Sequence, residues 1–174
     1  MLQPALGKNL AVLMRRPNFL LFLALATSAI AQPGKWAGAI EKFTKADATN
    51  PPPQGAVLFI GSSFIGRWTS PATDFATHQV INRGFGGSHL GDSVFYLDRV
   101  ALPDRPRVVV LYAGDNDRNA GKAPGSDTAD FTAFCTKIHA ALPETRIVFI
   151  AIKPSPARWK IRDKREKANA LIAA

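Results

Sequence analysis

Short apolar runs alternate with amphipathic stretches along most of the chain. The runs are four to seven residues long, which predicts strands at 56–60, 79–82, 108–112 and 146–152. The amphipathic stretches predict helices at 36–47, 63–68, 92–99, 126–142 and 159–174, with Ser126 as a candidate N-cap. Strands separated by helices predict an α/β fold, a three-layer α/β/α sandwich around a central parallel sheet.

Three loops follow the carboxyl ends of predicted parallel strands, so they are expected at one edge of the sheet. Ligands of parallel sheets bind at this edge. They read GSS at 61–63, RGFGGS at 83–88 and AGDND at 113–117. A serine at a strand-to-helix turn exposes its hydroxyl close to the free N–H groups of the helix start. Serine is also a common helix cap, so the first loop alone leaves both interpretations open.

The second and third loops add groups that suit a binding or catalytic site. Glycines in the second loop let the backbone approach a ligand closely, although His89 stands where a dinucleotide fingerprint needs its third glycine. In the third loop Asn116 can donate a side-chain N–H to a developing oxyanion. Asp115 and Asp117 could suggest a metal, but no further carboxylate or histidine cluster supports a hard-cation site, so no metal or other cofactor is predicted.

Together the three loops resemble the SGNH hydrolases, also called GDSL-like lipases and esterases. The resemblance covers roughly residues 55–174 and implies the flavodoxin-like fold of that family, an ester-hydrolysing activity and no cofactor. The GSS motif takes the place of the family's Gly-Asp-Ser block, so Ser63 corresponds to the nucleophile and Ser62 replaces the aspartate. The sequence GDND at 114–117 fits the family's Gly-x-Asn-Asp block in full.

The resemblance also implies the members of an oxyanion hole. The family's second block contributes a glycine N–H, and the match falls on Gly87, with Gly84 as the alternative. Asn116 corresponds to the asparagine of the third block. The predicted hole therefore combines the backbone N–H groups of Ser63 and Gly87 with the side chain of Asn116.

The family's last block, Asp-x-x-His, does not occur in these 174 residues. His78 is predicted to be a surface residue and His139 a structural residue of the helix at 126–142. His89 lies close to the second block and is a candidate substitute base or substrate contact. The family's sheet continues with one more strand, the Asp-x-x-His loop and a closing helix. We therefore expect a C-terminally truncated form that lacks the last strand and helix. The alternative is a non-catalytic α/β binding protein that keeps the oxyanion pocket.

The N-terminal residues have the pattern of a signal peptide. A positive segment at Met14 to Arg16 precedes an apolar run at 19–31, and Ala-Ile-Ala at its end predicts cleavage before Gln32. The pattern predicts export to a periplasm or the outside, with no stable membrane span after cleavage. Translation starting at Met14 would make the first residues an upstream extension, and Met1 is the alternative start.

These boundaries divide the chain into three parts. The parts are an N-terminal extension and signal peptide (1–31), a helix with a proline-rich connector (32–54) and an SGNH hydrolase-like domain that is incomplete at its C-terminus (55–174).

The net charge of +9 raises the question of an anionic partner. Seven lysines and arginines lie between 153 and 167, and we interpret them as one solvated helix face; a patch for anionic lipid or nucleic acid is the alternative. The single cysteine, Cys135, is predicted to be a buried structural thiol. The predicted partner is a small-molecule, carbohydrate or lipid ester, and no nucleic acid is expected.

Overall fold

The computed structural model describes residues 34–174, so the predicted signal peptide and its cleavage site lie outside the described residues. Four parallel strands form one sheet in the order β2-β1-β3-β4. Their bounds are β1 (Val57–Gly61), β2 (Val80–Gly84), β3 (Val108–Tyr112) and β4 (Arg146–Phe149). Helices flank the sheet, which confirms the predicted α/β fold with its central parallel sheet.

Seven α-helices and two 3₁₀ helices connect the strands within residues 34–174. The α-helices are α1 (Ala37–Thr49), α2 (Ser63–Gly66), α3 (Pro71–Asp74), α4 (Leu90–Val100), α5 (Asp115–Asn119), α6 (Pro124–Ala141) and α7 (Arg162–Ala173). The 3₁₀ helices are Leu102–Asp104 and Pro156–Ile161, so the predicted basic helix at 159–174 is in fact a 3₁₀ helix followed by α7. None of the helices in this part of the chain combines the length and the apolar character that crossing a membrane requires.

The start of α6 differs from the prediction. The helix begins at Pro124, and Ala123 rather than Ser126 occupies the N-cap position. Proline suits the first turn of a helix because the N–H it lacks would have no intrahelical partner there. Ser126 lies inside the first turn, where its hydroxyl donates a hydrogen bond to the carbonyl oxygen of Ala123 (2.8 Å). Cys135, on the same helix, is half-buried rather than buried, and burial raises the pKa of its thiol.

The second strand is longer than predicted and takes in the first two residues of the predicted second loop. Arg83 and Gly84 belong to β2, where each pairs with the neighbouring β1. The Arg83 side chain is buried and forms ion pairs with Asp47 of α1 (2.8 Å) and with Asp104 (2.8 Å). This arginine therefore anchors the edge strand to the helices and contributes no group to the loop.

The two faces of the sheet are covered unequally. Helices α1, α4 and α6 supply buried side chains to the main core on one face, where Leu58 and Leu111 are fully buried. On the other face the segment that contains α2 and α3 covers a smaller cluster around Phe59 and Tyr112. Val57 pairs with Val80 on one side and Val108 on the other, so three strands run level and their following loops lie side by side.

Candidate active site

The first loop places Ser63 at the point where β1 turns into α2. The ladder continues to the end of β1, because Ser62 N–H donates to Tyr112 O (3.1 Å) and Phe85 N–H donates to Gly61 O (2.9 Å). Gly61 then adopts a φ of +141°, and a Cβ there would lie 2.0 Å from Tyr112 O. Only glycine fits this turn. It leaves Ser62 buried and Ser63 half-buried at the first position of the helix.

Helix α2 has only four residues and is held in place by the neighbouring strand. The side-chain N–H groups of Asn82 donate to the carbonyl oxygens of Ile65 (2.9 Å) and Trp68 (3.0 Å). The Asn82 Oδ1 atom accepts from Gly84 N–H (2.9 Å). A Cβ on Gly84 would lie 2.1 Å from the nitrogen of Gly66, so this glycine permits close packing of β2 against α2. Because its N–H is already engaged, Gly84 is not a free oxyanion donor.

The structure brings Ser63, Gly87 and Asn116 together around one cavity of about 520 Å³. Gly87 has a φ of +78°, a conformation that favours glycine. A Cβ on Gly86 would lie 3.8 Å from Cβ of Ser63, so the second loop passes next to the serine. Within residues 34–174 the backbone N–H groups of Ser63 and Gly87 have no hydrogen-bond acceptor. Both donors are therefore free to bind a ligand atom in the cavity.

Asn116 lies on α5, directly after the turn that ends β3. Gly114 makes this turn with a φ of +107°, and a Cβ there would lie 2.6 Å from Ile152 Cδ1. The Asn116 amide nitrogen donates to the carbonyl oxygen of Ser88 (3.0 Å), which ties the third loop to the second. An amide nitrogen carries two hydrogens, so one donor is left for the cavity.

The carboxylate of Asp117 does not line the cavity and joins the third loop to α4. It is fully buried, pairs with Lys122 (2.8 Å) and His89 (3.4 Å), and accepts a hydrogen bond from Leu90 N–H (3.1 Å). Burial by itself would raise the pKa of this carboxyl, but the hydrogen bonds from His89 and Lys122 outweigh burial and hold the pKa below its usual value.

Asp115 is held by two arginines from the basic segment 153–167. Arg158 binds its carboxylate, and Arg165 pairs with the other carboxylate oxygen at 2.7 Å. Arg165 is only 1% exposed and Arg158 is half-buried. The prediction that 153–167 forms one solvated face is therefore wrong for Arg158 and Arg165. Neither acid of the third loop joins a group that could hold a metal; no such group of three His, Cys, Asp or Glu side chains occurs within residues 34–174.

A second cavity, of about 580 Å³, adjoins Ser63 on the side of β3. Aromatic rings form much of its lining, from Phe64, Trp68 and Tyr112, and Lys153 lies over the Phe64 ring at 3.8 Å from its centroid. Burial raises the pKa of the Tyr112 hydroxyl above its usual value, and the charge of Asp115 raises it further. The phenol therefore stays neutral at physiological pH.

Among residues 34–174, no imidazole lines either cavity at Ser63. His78 is exposed next to Thr77, and His139 lies near the end of α6 with Nε2 3.0 Å from Thr145 O. His78 therefore lies on the surface as predicted, and His139 has a structural contact as predicted. His89 stands at the N-cap of α4, paired with Asp117, and the structure does not bring it into the cavities as a substitute base would require.

Sequence reasoning missed the residues that hold the third loop, which are Lys122, Arg158 and Arg165. Arg158 had one usable signal: it follows β4 in a proline-rich segment, and the carboxyl end of β4 lies at the same edge of the sheet as the three loops. Lys122 and Arg165 have no comparable signal, because a sequence does not show whether a basic side chain is exposed or paired with an acid.

Comparison with known proteins places this arrangement in context. The model of the GDSL-like lipase/acylhydrolase family matches residues 53–174. Among solved structures, a GDSL-like lipase from Bacteroides thetaiotaomicron is 20% identical with a TM-score of 0.63, and the match covers 77% of this chain and 69% of that one. No curated protein matches the chain.

Two further structures share the fold at lower identity. An acetyl xylan esterase is 17% identical with a TM-score of 0.57, over 67% of this chain and 70% of the esterase. An esterase of the SGNH hydrolase family is 14% identical with a TM-score of 0.55, over 69% of each chain.

Proposed function

Because the chain belongs to the GDSL-like lipase/acylhydrolase family, we propose that it is an exported serine ester hydrolase with Ser63 as its nucleophile. One observation carries the proposal: Ser63, Gly87 and Asn116 come from three different loops and line the same cavity. A nucleophile, two free backbone donors and a side-chain amide are the groups that acyl transfer requires at one point.

The proposed reaction begins with attack of Ser63 Oγ on the carbonyl carbon of the ester. The carbonyl oxygen becomes an oxyanion, which accepts hydrogen bonds from Ser63 N–H, Gly87 N–H and the free hydrogen of Asn116 Nδ2. Such preorganised donors stabilise the tetrahedral intermediate, and removal of one typically lowers kcat about 10²–10³-fold. The alcohol then leaves, and water hydrolyses the acyl-enzyme.

Proton transfer in this scheme requires a base, and the described residues place no imidazole at Ser63. In the family this role belongs to the histidine of the Asp-x-x-His block, which the 174 residues do not contain. Without it, only the part of catalysis that comes from binding and oxyanion stabilisation remains. The same observation favours the second candidate function, a non-catalytic binding protein that keeps the oxyanion pocket.

The proposed substrates are acyl or acetyl esters of small molecules, carbohydrates or lipids. The aromatic lining of the second cavity suits an apolar acyl chain or the apolar face of a sugar ring. A fold relative that is an acetyl xylan esterase supports the inclusion of acetylated sugars.

Export rests on the signal-peptide pattern alone. N-terminal sequencing of the secreted or periplasmic protein should give a mature end at Gln32. A mature end far from this residue would contradict the proposed cleavage.

The test of the enzyme is hydrolysis of p-nitrophenyl acetate and labelling by a fluorophosphonate probe. Both would be measured on the chain as given and on a version extended by any Asp-x-x-His segment encoded downstream. We expect the extended chain to be active and labelled, and Ser63→Ala to lose both signals. Ser62→Ala is the matched control. It removes the hydroxyl of the buried neighbouring serine and should keep both signals.

Two outcomes would contradict the enzyme proposal. If Ser63→Ala leaves hydrolysis unchanged, Ser63 is not the nucleophile. If neither version hydrolyses the ester nor reacts with the probe, the binding-protein alternative is favoured.

A further inference from the structure

Arg158 is the one residue of the basic segment 153–167 that lines the cavity with Ser63, Gly87 and Asn116, within the part of the chain that the structure describes. It lies in the 3₁₀ helix Pro156–Ile161, after the last strand. Its Nη1 atom approaches three acceptors on the third loop: the carbonyl oxygen of Asp115 (3.2 Å), the carboxylate of Asp115, and Oδ1 of Asn116 (3.3 Å).

These contacts define which way the Asn116 amide points. A guanidinium has only donors, so the amide atom that faces Arg158 must be the oxygen. The carbonyl of Ser88 has only an acceptor, so the amide atom that faces it must be the nitrogen, and the two atoms lie 3.0 Å apart. A flipped amide would place a donor against a donor and an acceptor against an acceptor. The observed orientation is therefore the one that both neighbours favour.

Arg158 is itself held in place by Asp115. The carboxylate that binds it is paired on its other oxygen with Arg165, whose side chain is almost fully buried on α7. Asp115 precedes Asn116 directly, so the same short helix supplies the anchor of the arginine and the amide that the arginine contacts. The single negative charge of Asp115 is shared between Arg158 and Arg165, so Arg158 contributes both hydrogen-bond geometry and part of a positive charge at the cavity.

We infer that Arg158 is a positioning residue that holds the Asn116 amide with its nitrogen toward Ser88 and the cavity. This inference deepens the proposed function and rests on it for its kinetic consequence. An oxyanion donor acts only if it already points at the place where charge develops. Loss of Arg158 should therefore act on the transition state more than on substrate binding.

The structural test is the side-chain NH₂ signal of Asn116 in ¹⁵N-correlated NMR spectra, assigned by its disappearance in Asn116→Asp. We expect Arg158→Met to shift or broaden this pair of signals. Lys160→Met, on the same 3₁₀ helix and exposed, should leave the pair unchanged. Arg158→Gln keeps a polar side chain that is too short to reach Asn116, and it should reproduce the shift if Arg158→Met fails to fold. An unchanged Asn116 pair in a folded Arg158 variant would overturn the inference.

The kinetic test uses whichever version of the chain hydrolyses ester in a Ser63-dependent way. Arg158→Met should lower kcat between about 10-fold and 100-fold, the range expected for a misplaced catalytic group, with KM within about twofold of the parent. Arg158→Lys should recover part of kcat, since lysine can still donate to Oδ1. An equal loss in Lys160→Met, or a change in KM alone, would contradict the positioning role. If Ser63-dependent hydrolysis is never seen, the proposed function fails, and the NMR result still decides how Asn116 is held.

Discussion

Asp115 and Asp117 are two residues apart on α5, and their side chains connect Asn116, the proposed oxyanion donor between them, to different parts of the molecule. Asp117 is fully buried and binds the helix start that follows the second loop, through His89 and Leu90 N–H. Asp115 is 24% exposed and binds arginines that come from the last helical segment. One acid therefore fixes the third loop to the second, and the other fixes it to the region after β4.

This difference separates a structural role from a role in the site. The partners of Asp117 line neither cavity, whereas Asp115 lines the second cavity and its partner Arg158 lines the first. Loss of Asp117 should mainly affect folding. Loss of Asp115 should affect folding less and the position of Asn116 more.

The largest effect is expected for Asp117→Ala. The change removes the acceptor of Lys122, His89 and the Leu90 N–H at once, inside a fully buried site. Removing one partner of a buried ion pair typically destabilises a protein by about 3–5 kcal/mol, and we expect a loss of this size in the free energy of unfolding. Urea denaturation at pH 7 would measure it.

The control for this prediction is Glu41→Ala, which breaks an exposed ion pair with Lys45 on α1. Exposed pairs contribute less than about 1 kcal/mol. If Asp117→Ala lowered the free energy of unfolding as little as this control, the Asp117 carboxylate would not be what fixes the third loop to the second.

A smaller loss of stability is expected for Asp115→Asn. The amide oxygen can still accept from Arg158, but the charge that balances the buried Arg165 is gone. We expect about 1.5–3 kcal/mol, the range for hydrogen bonds to charged groups, together with a shift of the Asn116 side-chain NMR signals. In the double variant Asp115→Asn with Arg165→Met the loss should be less than the sum of the two single losses. If Asp115→Asn lost more stability than Asp117→Ala, Asp115 would contribute more to folding than Asp117, which contradicts our comparison.

The contrast between the two acids also shows what the sequence could predict. The apolar runs of the strands are local signals, and the predicted strand at 108–112 agrees with β3 at both ends. The three loops lie at one edge because parallel strands put their carboxyl ends together, so the order of the elements grouped the loops. The choice of Ser63 and Gly87 within these loops came from the resemblance to the family.

The partners of the acids could not be predicted in this way. The sequence pattern does not distinguish Asp115 from Asp117, because either carboxylate could suggest a metal ligand. Their partners are chosen by tertiary packing: Arg158 lies 43 positions from Asp115, and Leu90 lies 27 positions from Asp117. The predicted Ser126 cap failed for a local reason, since the neighbouring Pro124 is a better first residue for the helix than an interior one.

The smallest expected effect is the loss of folding stability when Asp117 takes up a proton at low pH. The pKa of Asp117 is lower in the folded protein than its usual value, which is 3.8, so its charged form stabilises the fold fully above about pH 4. As pH falls below this value the unfolded chain takes up a proton first, and the contribution is lost as pH passes through the folded pKa. The effect is smaller than that of Asp117→Ala because the protonated side chain still fills its site.

Urea denaturation of the parent and of Asp117→Asn at pH 7, 5, 4 and 3 would test this. Asparagine matches the shape of aspartate but cannot be charged. Burial and the charge of Asp117 raise the pKa of Asp127 to about 7, so the titration of Asp127 also changes the deficit of Asp117→Asn between pH 7 and pH 5, and the contribution of Asp117 itself is measured between pH 5 and pH 3. The deficit should shrink below about pH 4, as the parent loses its own charge at this position. A deficit that grows as pH falls from 5 to 3 would mean that the folded protein binds the proton of Asp117 more tightly than the unfolded chain does. In that case the hydrogen bonds from His89 and Lys122 would not outweigh burial at Asp117.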